Sequence, residues 1–490
     1  MSKFTKLKVG QVYNGFKVIS IDELAPFNSD GILFIHEKTG MQVFHLLNAD
    51  EENLFSFGFR TPCENSMGVA HIMEHSVLCG SKNYPLKDPF KTLANQSVKT
   101  FLNAMTFPDK TVYPASSVVE QDYFNLMAVY ADAVFFPLLT EQTFLQEGHR
   151  YEVNSKGELE LQGVVFNEMK GAYSSIESVI EEEIKRGLMP KSSYQYDSGG
   201  DPLEIPDLTY EEFIEFHKKH YIPSNCFLFL YGNIESEKQL DFINEKVLRE
   251  FSGECASHGA DDHSNGADDC AHADDNTRTA LQEQFDRMTF CENFTQPKEK
   301  VVFAPLQTSA GGKSENKDSV ILSWNLGEVT NSDLYMKAFL LSEILMGHDG
   351  SPFSKALLDC KLGEDLSPNS GLDSDMRYIL LSCGLRGVKE GNVKKVEKVI
   401  FDVLEDIAKN GIQKSDLESA LMSCEIYFRE IVRNYGPYSL VLMRRAYKTW
   451  MNGKHPVQGI MTYSAFEKIK KEIETNPNYI SQLVKEILLE

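Results

Sequence analysis

The chain of 490 residues contains one stretch that cannot contribute to a hydrophobic core. Between Gly253 and Thr277 the sequence has almost no large apolar side chains. Such a segment buries too little apolar surface to offset the entropy lost on ordering, which predicts a disordered linker or a surface loop. We therefore expect two bodies of comparable size, a domain at 1–253 and a domain at 290–490, joined by an acidic disordered linker at 254–289.

Both parts of the chain repeat one order of elements. A strand leads to a helix, a proline-containing turn opens a second helix, and further strands precede a long helix. These elements are 54–59, 66–79, 88–90 and 120–135 in the first part, and 320–324, 332–346, 350–353 and 392–409 in the second. The pattern predicts an α+β fold of two duplicated domains, each a mainly antiparallel sheet covered by helices.

Composition excludes several classes of protein. The formal net charge of −23 argues against a nucleic-acid partner, which requires a basic face. Apolar residues make up 42% of the chain, enough for large cores. No apolar run reaches the roughly 18–20 residues of a membrane-spanning helix, so we expect no membrane association of that kind.

The cysteines and the N-terminus indicate a reducing, intracellular compartment. The nine cysteines are scattered and form no C-x-x-C pair, so neither a disulfide scaffold nor a thiolate zinc site is predicted. The first residues, Met1 to Val9, lack the apolar core of a signal peptide and the Arg- and Ser-rich character of a transit peptide. We therefore expect a cytoplasmic protein.

The most informative pentapeptide is His71-Ile72-Met73-Glu74-His75. Two histidines four residues apart share one face of a helix, and both imidazoles can reach one zinc ion. Glu74 lies at the edge of that face, where a carboxylate can meet a metal-bound water. A catalytic zinc needs one further protein ligand and an open position. This H-x-x-E-H pattern is the inverted zinc-protease signature, although it also occurs by chance in unrelated helices.

Longer blocks around the pentapeptide resemble the presequence-protease branch of the insulysin–pitrilysin metalloprotease family. They lie at Thr61, 68–90, 101–114, 146–148, 163–171, 198–202, 221–225 and 350–353. The resemblance covers nearly the whole chain except the acidic segment. It implies a fold similar to that of insulysin and of the mitochondrial processing peptidase. It also implies a zinc metalloendopeptidase that degrades short unstructured peptides, such as cleaved targeting peptides.

The same resemblance implies a role for five residues. His71 and His75 resemble zinc ligands, and Glu74 resembles the general base that activates the zinc-bound water. Glu168, within 167–171, matches the third zinc ligand. Glu147 is similar to an acid that supports catalysis without binding the metal. One Zn²⁺ per chain is therefore expected.

Glu152 competes with Glu168 for the third position, because the ligand of relatives with a shorter spacing would fall there. The sequence from Tyr151 to Leu161 predicts two strands joined by an Asn-Ser-Lys-Gly turn. Glu168 instead opens a predicted helix at about 164–187. We favour Glu168, because a helix holds a ligand more rigidly than a segment beside a hairpin turn.

A short stretch after the pentapeptide is the candidate for substrate binding. In the family this stretch forms an edge strand that the substrate backbone extends, which reads main chain more than side chains. The residues concerned here are Leu102, Asn103, Ala104 and Met105. An ordinary buried strand is the alternative.

Other histidines are weaker candidates for metal binding. His217 and His220 lie three residues apart on a predicted helix without a partner acid, which favours a packed or solvated helix end. The corresponding helix of the second part, 334–343, has neither His nor Cys. We expect the second domain to be a copy without a metal site.

The resemblance also implies that this chain acts together with a second half. Full-length members of the branch are about twice as long, and their second half contributes an Arg and a Tyr that steady the reacting carbonyl. We expect this chain to be the N-terminal half of a closing chamber. Its peptidase activity should be weak or undetectable without a C-terminal half, encoded by the same gene or present as a separate chain, because oxyanion stabilisation contributes about 3–4 kcal/mol.

Three alternatives stay open at this point. One is a partner-dependent or non-catalytic subunit of a heteromeric peptidase. Another is a peptide-binding module with a structural zinc, which requires a fourth protein ligand that the sequence does not offer. For the compartment, the resemblance implies the mitochondrial matrix as the alternative to the cytoplasm.

Overall fold

The computed structural model describes residues 3–251, 275–292, 296–304, 318–434 and 436–490. The chain forms two compact units. The first comprises Met1–Gly171, Ser192–Phe290 and Arg433–Arg444, and the second Ala172–Lys191, Cys291–Val432 and Arg445–Glu490. Ala172–Lys191 thus belongs to the second unit although most of that unit follows residue 290, and Arg433–Arg444 belongs to the first unit although most of that unit precedes residue 291. The domain boundaries expected from the sequence stay a prediction.

The acidic linker predicted at 254–289 needs one correction. Residues 254–274 lie outside the described residues. The last part, Asp275–Thr289, is a helix. In this helix Phe285 is buried, and the Arg60 guanidinium lies 4.8 Å from its ring centroid and 4.6 Å from that of Phe227. Phe285 gives this helix an apolar side chain to bury, which the predicted linker was not expected to have.

Strands are numbered here in chain order. They are β1 (Val12–Tyr13), β2 (Phe16–Leu24), β3 (Ser29–His36), β4 (Gln42–Leu47), β5 (Asn53–Arg60), β6 (Phe101–Leu102), β7 (Met105–Thr106), β8 (Lys110–Ser117), β9 (Arg150–Val153), β10 (Leu159–Gln162), β11 (Cys226–Gly232), β12 (Asp318–Glu328), β13 (Asp365–Leu366), β14 (Gly371–Asp373) and β15 (Tyr378–Val388).

Helices follow the same convention. They are α1 (Val69–Val77), α2 (Pro89–Gln96), α3 (Glu120–Phe135), α4 (Glu141–Glu147), α5 (Val164–Ala172), α6 (Ile176–Leu188), α7 (Tyr210–His220), α8 (Ser236–Ile243), α9 (Arg249–Phe251), α10 (Asp275–Thr289), α11 (Ser332–Met346), α12 (Pro352–Asp359), α13 (Val393–Asn410), α14 (Lys414–Arg429), α15 (Tyr438–Trp450), α16 (Pro456–Ile460), α17 (Tyr463–Thr475) and α18 (Tyr479–Val484). None of them, within the described residues, has the length and hydropathy of a membrane-spanning segment.

A nine-stranded sheet dominates the described part of the first unit, in the order β1-β2-β3-β4-β11-β5-β8-β6, with β7 also paired to β8. Only the β4–β11 pair is parallel in this sheet. The central strand β5 is buried along its whole length. Its Phe55 ring packs edge-on against Tyr123 and Tyr130 of α3, at centroid distances of 5.5 and 5.7 Å. This aromatic layer fixes α3 on the sheet.

A smaller sheet organises the second unit in the order β12-β15-β13, with β14 also paired to β15. All of its pairs are antiparallel. Helix α13 covers it with a stripe of buried apolar residues at helical spacing, Val396, Ile400, Leu404 and Ile407. The order β12, α11, α12, further strands and α13 repeats β5, α1, α2, further strands and α3. The α+β prediction with antiparallel sheets covered by helices is confirmed.

The single helix predicted at 164–187 is wrong in one respect, because α5 and α6 are separate helices. Ser175 caps α6, its hydroxyl accepting a hydrogen bond from the Ser178 amide. A serine at this position competes with the helical backbone and starts a new helix. The hairpin predicted at Tyr151–Leu161 is present as β9 and β10, with Leu159 opposite Val153.

Candidate metal centre

Helix α1 carries three of the candidate residues. It begins after Gly68, whose left-handed φ of 70° suits glycine, and Gly80 at φ 125° follows its end. Most of the helix is buried, including Glu74, whereas His71 and His75 are partly exposed. The two imidazole centroids are 4.9 Å apart, so both side chains leave the helix on one side, as their spacing predicts.

Glu168 of α5 faces both histidines. Its carboxylate oxygens lie 3.8 Å from His71 Nε2 and 3.9 Å from His75 Nε2. Ligand atoms of these three residues lie within 4.8 Å of one another, and no other such group occurs in the part of the chain that the structure describes. Two imidazole nitrogens and one carboxylate oxygen match the donors of a catalytic zinc, which binds them at about 2 Å and keeps one position open.

Glu147, at the end of α4, holds the second histidine. Its Oε2 lies 3.3 Å from His75 Nδ1, and its other oxygen accepts a hydrogen bond from Gln146. Burial lowers the pKa of His75, but the hydrogen bond to Glu147 and the carboxylates of Glu74, Glu147 and Glu168 outweigh it and raise the pKa. Because Nδ1 faces Glu147, His75 Nε2 is directed towards Glu168.

His71 is held by a main-chain group instead. Its Nδ1 lies 3.1 Å from the Gly199 carbonyl oxygen. A carbonyl only accepts, so Nδ1 donates the hydrogen bond and Nε2 keeps its lone pair for a metal. Both histidines therefore present Nε2 to the same place, which is the observation that makes this donor set fit zinc.

Thr106, for which the sequence predicted no catalytic role, touches the candidate base. Its hydroxyl donates a 2.6 Å hydrogen bond to Glu74 Oε2. Thr106 is on β7, directly opposite Thr111 of β8. The sequence signal was its place at the end of the stretch from Leu102 that resembles the substrate strand of the family. Its spacing from Glu74 follows no local period, so only the folded sheet brings them together.

Glu152 lies apart from this group. It is exposed on β9, and its Oε1 pairs with the Arg150 guanidinium at 2.7 Å. Glu168, by contrast, is on a helix beside both imidazoles. The geometry favours Glu168, and its role as a ligand stays a prediction.

Residues 101–106 form an interrupted strand at the edge of the described sheet. Leu102 and Met105 belong to β6 and β7, which both pair with β8, and Asn103 and Ala104 interrupt the ladder. The Asn103 carbonyl accepts a hydrogen bond from the buried Tyr130 hydroxyl at 3.1 Å, while its side chain is exposed. A β-edge of this kind can pair with an added strand, although no observation tests that role for these four residues.

The remaining histidines of the region serve packing. His149 Nε2 lies 2.9 Å from the Leu208 carbonyl oxygen, and its ring packs edge-on against Phe144 at a centroid distance of 5.4 Å. His217 and His220 on α7 contact the carbonyl oxygens of Val134 and Arg60, and burial lowers the pKa of each to about 4. They are part of a packed helix end.

A donor set that could hold a metal, with the buried Glu74 on the helix that carries both imidazoles, is an arrangement typical of metal-dependent hydrolases. Two family models match the chain, the insulinase family (peptidase family M16) at residues 55–179 and the peptidase M16 inactive domain at residues 207–424. The chain belongs to the insulinase family of peptidases, M16, in its presequence-protease branch.

Individual relatives agree with this placement. The chain is 36% identical to the Clostridium perfringens protein HypA over 98% of this chain and 46% of the relative. It is 36% identical to presequence protease 1, chloroplastic/mitochondrial, of Arabidopsis thaliana, over 97% of this chain and 42% of the relative. The chain thus spans about half the length of these curated relatives. A solved Helicobacter pylori protease shares the fold, with a TM-score of 0.62 at 15% identity over 91% of this chain and 96% of that one.

Proposed function

We propose that this chain is a zinc metalloendopeptidase that hydrolyses short unstructured peptides and forms one half of a two-half chamber. The observation that carries the proposal is the convergence of His71 Nε2, His75 Nε2 and the Glu168 carboxylate beside the buried Glu74. Membership of the M16 peptidase family supports it independently.

Each candidate residue has its own role in the proposed hydrolysis. His71, His75 and Glu168 would hold the zinc, which would supply a Lewis acid for the scissile carbonyl and lower the pKa of the attacking water to about 7. Glu74 takes the proton of the attacking water and returns it to the leaving amine. Thr106 fixes Oε2 of Glu74, which leaves Oε1 for the proton. Glu147 and Gly199 orient the two imidazoles.

Peptide substrates fit the interrupted edge strand. Residues 101–106 pair with β8 on one side, and an extended peptide added on the other would be bound through main-chain hydrogen bonds. Such pairing suits a peptidase with loose side-chain preference. A folded substrate has few free strand edges to offer, so the proposal is for unstructured peptides.

The half-chamber part of the proposal rests on length. The chain matches 46% of the Clostridium perfringens relative and 42% of the Arabidopsis one. One of the two matching family models is described as the inactive domain of M16 peptidases, and it covers residues 207–424. We infer that the part of the relatives that this chain does not span completes the site around the bound peptide.

Hydrolysis of an unstructured peptide of about 20–30 residues tests the proposal. The chain is assayed alone and with the part of the Clostridium perfringens relative that it does not span, each with and without a chelator. We expect slow or undetectable cleavage alone, and chelator-sensitive cleavage with the added part. Glu74→Gln should abolish cleavage and retain zinc.

Three outcomes would contradict all or part of the proposal. Cleavage by Glu74→Gln at the parent rate would show that Glu74 is not the base. A zinc content near zero in the purified parent would favour a non-catalytic subunit. Full activity of the chain alone would remove the half-chamber part and leave the peptidase assignment standing.

A further inference from the structure

A loop distant in sequence lies against the start of α1. It runs from Asp197 to Asp201, and two of its amides bind Ser66, which precedes the helix. The Asp197 amide donates to the Ser66 hydroxyl at 3.2 Å, and the Asp201 amide donates to the Ser66 carbonyl at 2.8 Å. Ser66 is itself buried. The loop is therefore fastened to the segment from which α1 begins.

Two glycines let the main chains approach more closely than any other residue would. Gly68 has φ +70° and Gly200 has φ +105°. A Cβ on Gly68 would lie 2.9 Å from the Gly199 oxygen, and a Cβ on Gly200 would lie 2.8 Å from the Gly68 Cα. Both clashes are with main-chain atoms, which cannot move aside as a flexible side chain can. The two backbones are interlocked at this point.

The interlock determines where one carbonyl points. The Gly199 amide donates to Asp197 Oδ1 at 2.8 Å, which orients the peptide from one side. The Gly199 carbonyl oxygen then accepts from His71 Nδ1 at 3.1 Å. A Cβ on Gly199 would also lie 2.9 Å from the Met169 Cε, next to Glu168 on α5. The same short loop thus touches both helices that carry the candidate ligands.

We propose that residues 197–201 are the positioning element of the metal centre. The loop acts through His71: the Gly199 carbonyl holds the imidazole in the tautomer with the proton on Nδ1, so that Nε2 is free for zinc. Gly68 and Gly200 are required because their close approach sets the position of that carbonyl. The proposal rests on the proposed zinc function and extends its Gly199–His71 contact to Gly68 and Gly200, to which that function assigns no role.

Zinc affinity of Gly200→Ala tests the interlock. We expect the zinc dissociation constant, measured by chelator competition, to rise by about 10- to 100-fold, the usual effect of losing a group that orients a ligand. Gly157→Ala is the matched control, because Gly157 also has a positive φ, +81°, but an added Cβ meets nothing within 4 Å. Equal affinities of the two variants would overturn the proposal.

The tautomer of His71 provides a test without any substitution in the loop. The zinc-free parent, labelled with ¹⁵N in its histidines, is studied by long-range ¹H–¹⁵N NMR, and His71→Gln assigns the signal. We expect the Nδ1–H tautomer for His71. The Nε2–H tautomer would overturn the proposal even if Gly200→Ala failed to fold.

These measurements distinguish failure of the loop proposal from failure of the proposed zinc function. A parent chain that binds no zinc but has His71 as the Nδ1–H tautomer would refute the zinc function and leave the orienting contact standing. A parent that binds zinc, with Gly200→Ala equal to Gly157→Ala, would refute the loop proposal and leave the zinc function intact.

Discussion

Thr106 shows how much a single hydroxyl can matter at this site. It donates to Glu74 Oε2 at 2.6 Å, and Glu74 is buried, so few water molecules can replace that contact. A hydrogen bond to a charged group contributes about 1.5–3 kcal/mol. The contact therefore selects one orientation of the carboxylate that we assign as the base.

We predict that Thr106→Val lowers kcat by about 10- to 100-fold, because valine keeps the shape but cannot donate to Glu74. Zinc affinity should be unchanged, since Thr106 touches no candidate ligand in the described contacts. Thr106→Ser should restore most of the rate. The measurement is steady-state peptide cleavage in the two-part assay, with zinc content determined in parallel. Parent-like kcat in Thr106→Val would show that the hydroxyl does not orient the base.

At the scale of elements, the sequence predicts a helix or strand best where its candidate residues lie close together in the sequence. The His71, Glu74 and His75 spacing predicted a helix with two imidazoles on one face, and α1 has that geometry. The break between α5 and α6 is an exception, because the sequence prediction overlooked a local signal, the serine at 175 that caps α6.

Contacts between distant elements were beyond sequence reasoning. Gly199 meets His71 and Thr106 meets Glu74 only because the loop at 197–201 and strand β7 fold against α1. A single sequence gives periodicity within a helix or strand but no distances between them. The two histidines follow from their helical spacing, and the family resemblance supplied Glu168. The spacing of shorter relatives offered Glu152 as a competitor, which the predicted hairpin at Tyr151–Leu161 made less favourable.

Strand β4 and helix α8 are joined by a polar contact in the core of the first unit. His45 Nδ1 lies 2.8 Å from the Ser236 hydroxyl, and Gln239 approaches Nε2. Burial lowers the pKa of His45 to about 3. As pH falls, a histidine whose pKa is lowered by folding binds a proton in the unfolded chain before it does so in the folded one. The free energy of unfolding therefore decreases as pH falls below about 6.5.

We predict that His45→Gln reduces the acid sensitivity of the first unit. Between pH 7 and pH 5 the parent should lose more unfolding free energy than the variant, by up to about 1.4 kcal/mol per pH unit below 6.5. Urea unfolding at several pH values measures the difference. His348→Gln, at an exposed position, is the control and should keep the parent slope. An unchanged slope in His45→Gln would mean that this histidine does not stay neutral in the fold.

At the scale of the whole molecule, both units repeat one order of elements, but the two copies differ in whether the helix after the first strand carries candidate metal ligands. In the first unit the helix after the strand carries two histidines and a glutamate, whereas α11 in the second unit has neither His nor Cys. The candidate metal centre uses two helices of the first unit, and the chain spans about half the length of the curated relatives that it matches. The fold could be predicted from repeated patterns, but the completeness of the site could not.

The central claim is that Glu168 completes a zinc site with His71 and His75. The most direct measurement is the zinc stoichiometry of Glu168→Gln and Glu152→Gln after dialysis against a weak chelator, beside the parent. We predict one zinc per chain in the parent and in Glu152→Gln, and almost none in Glu168→Gln, because only Glu168 faces both Nε2 atoms. Loss of zinc in Glu152→Gln with full zinc in Glu168→Gln would contradict the account.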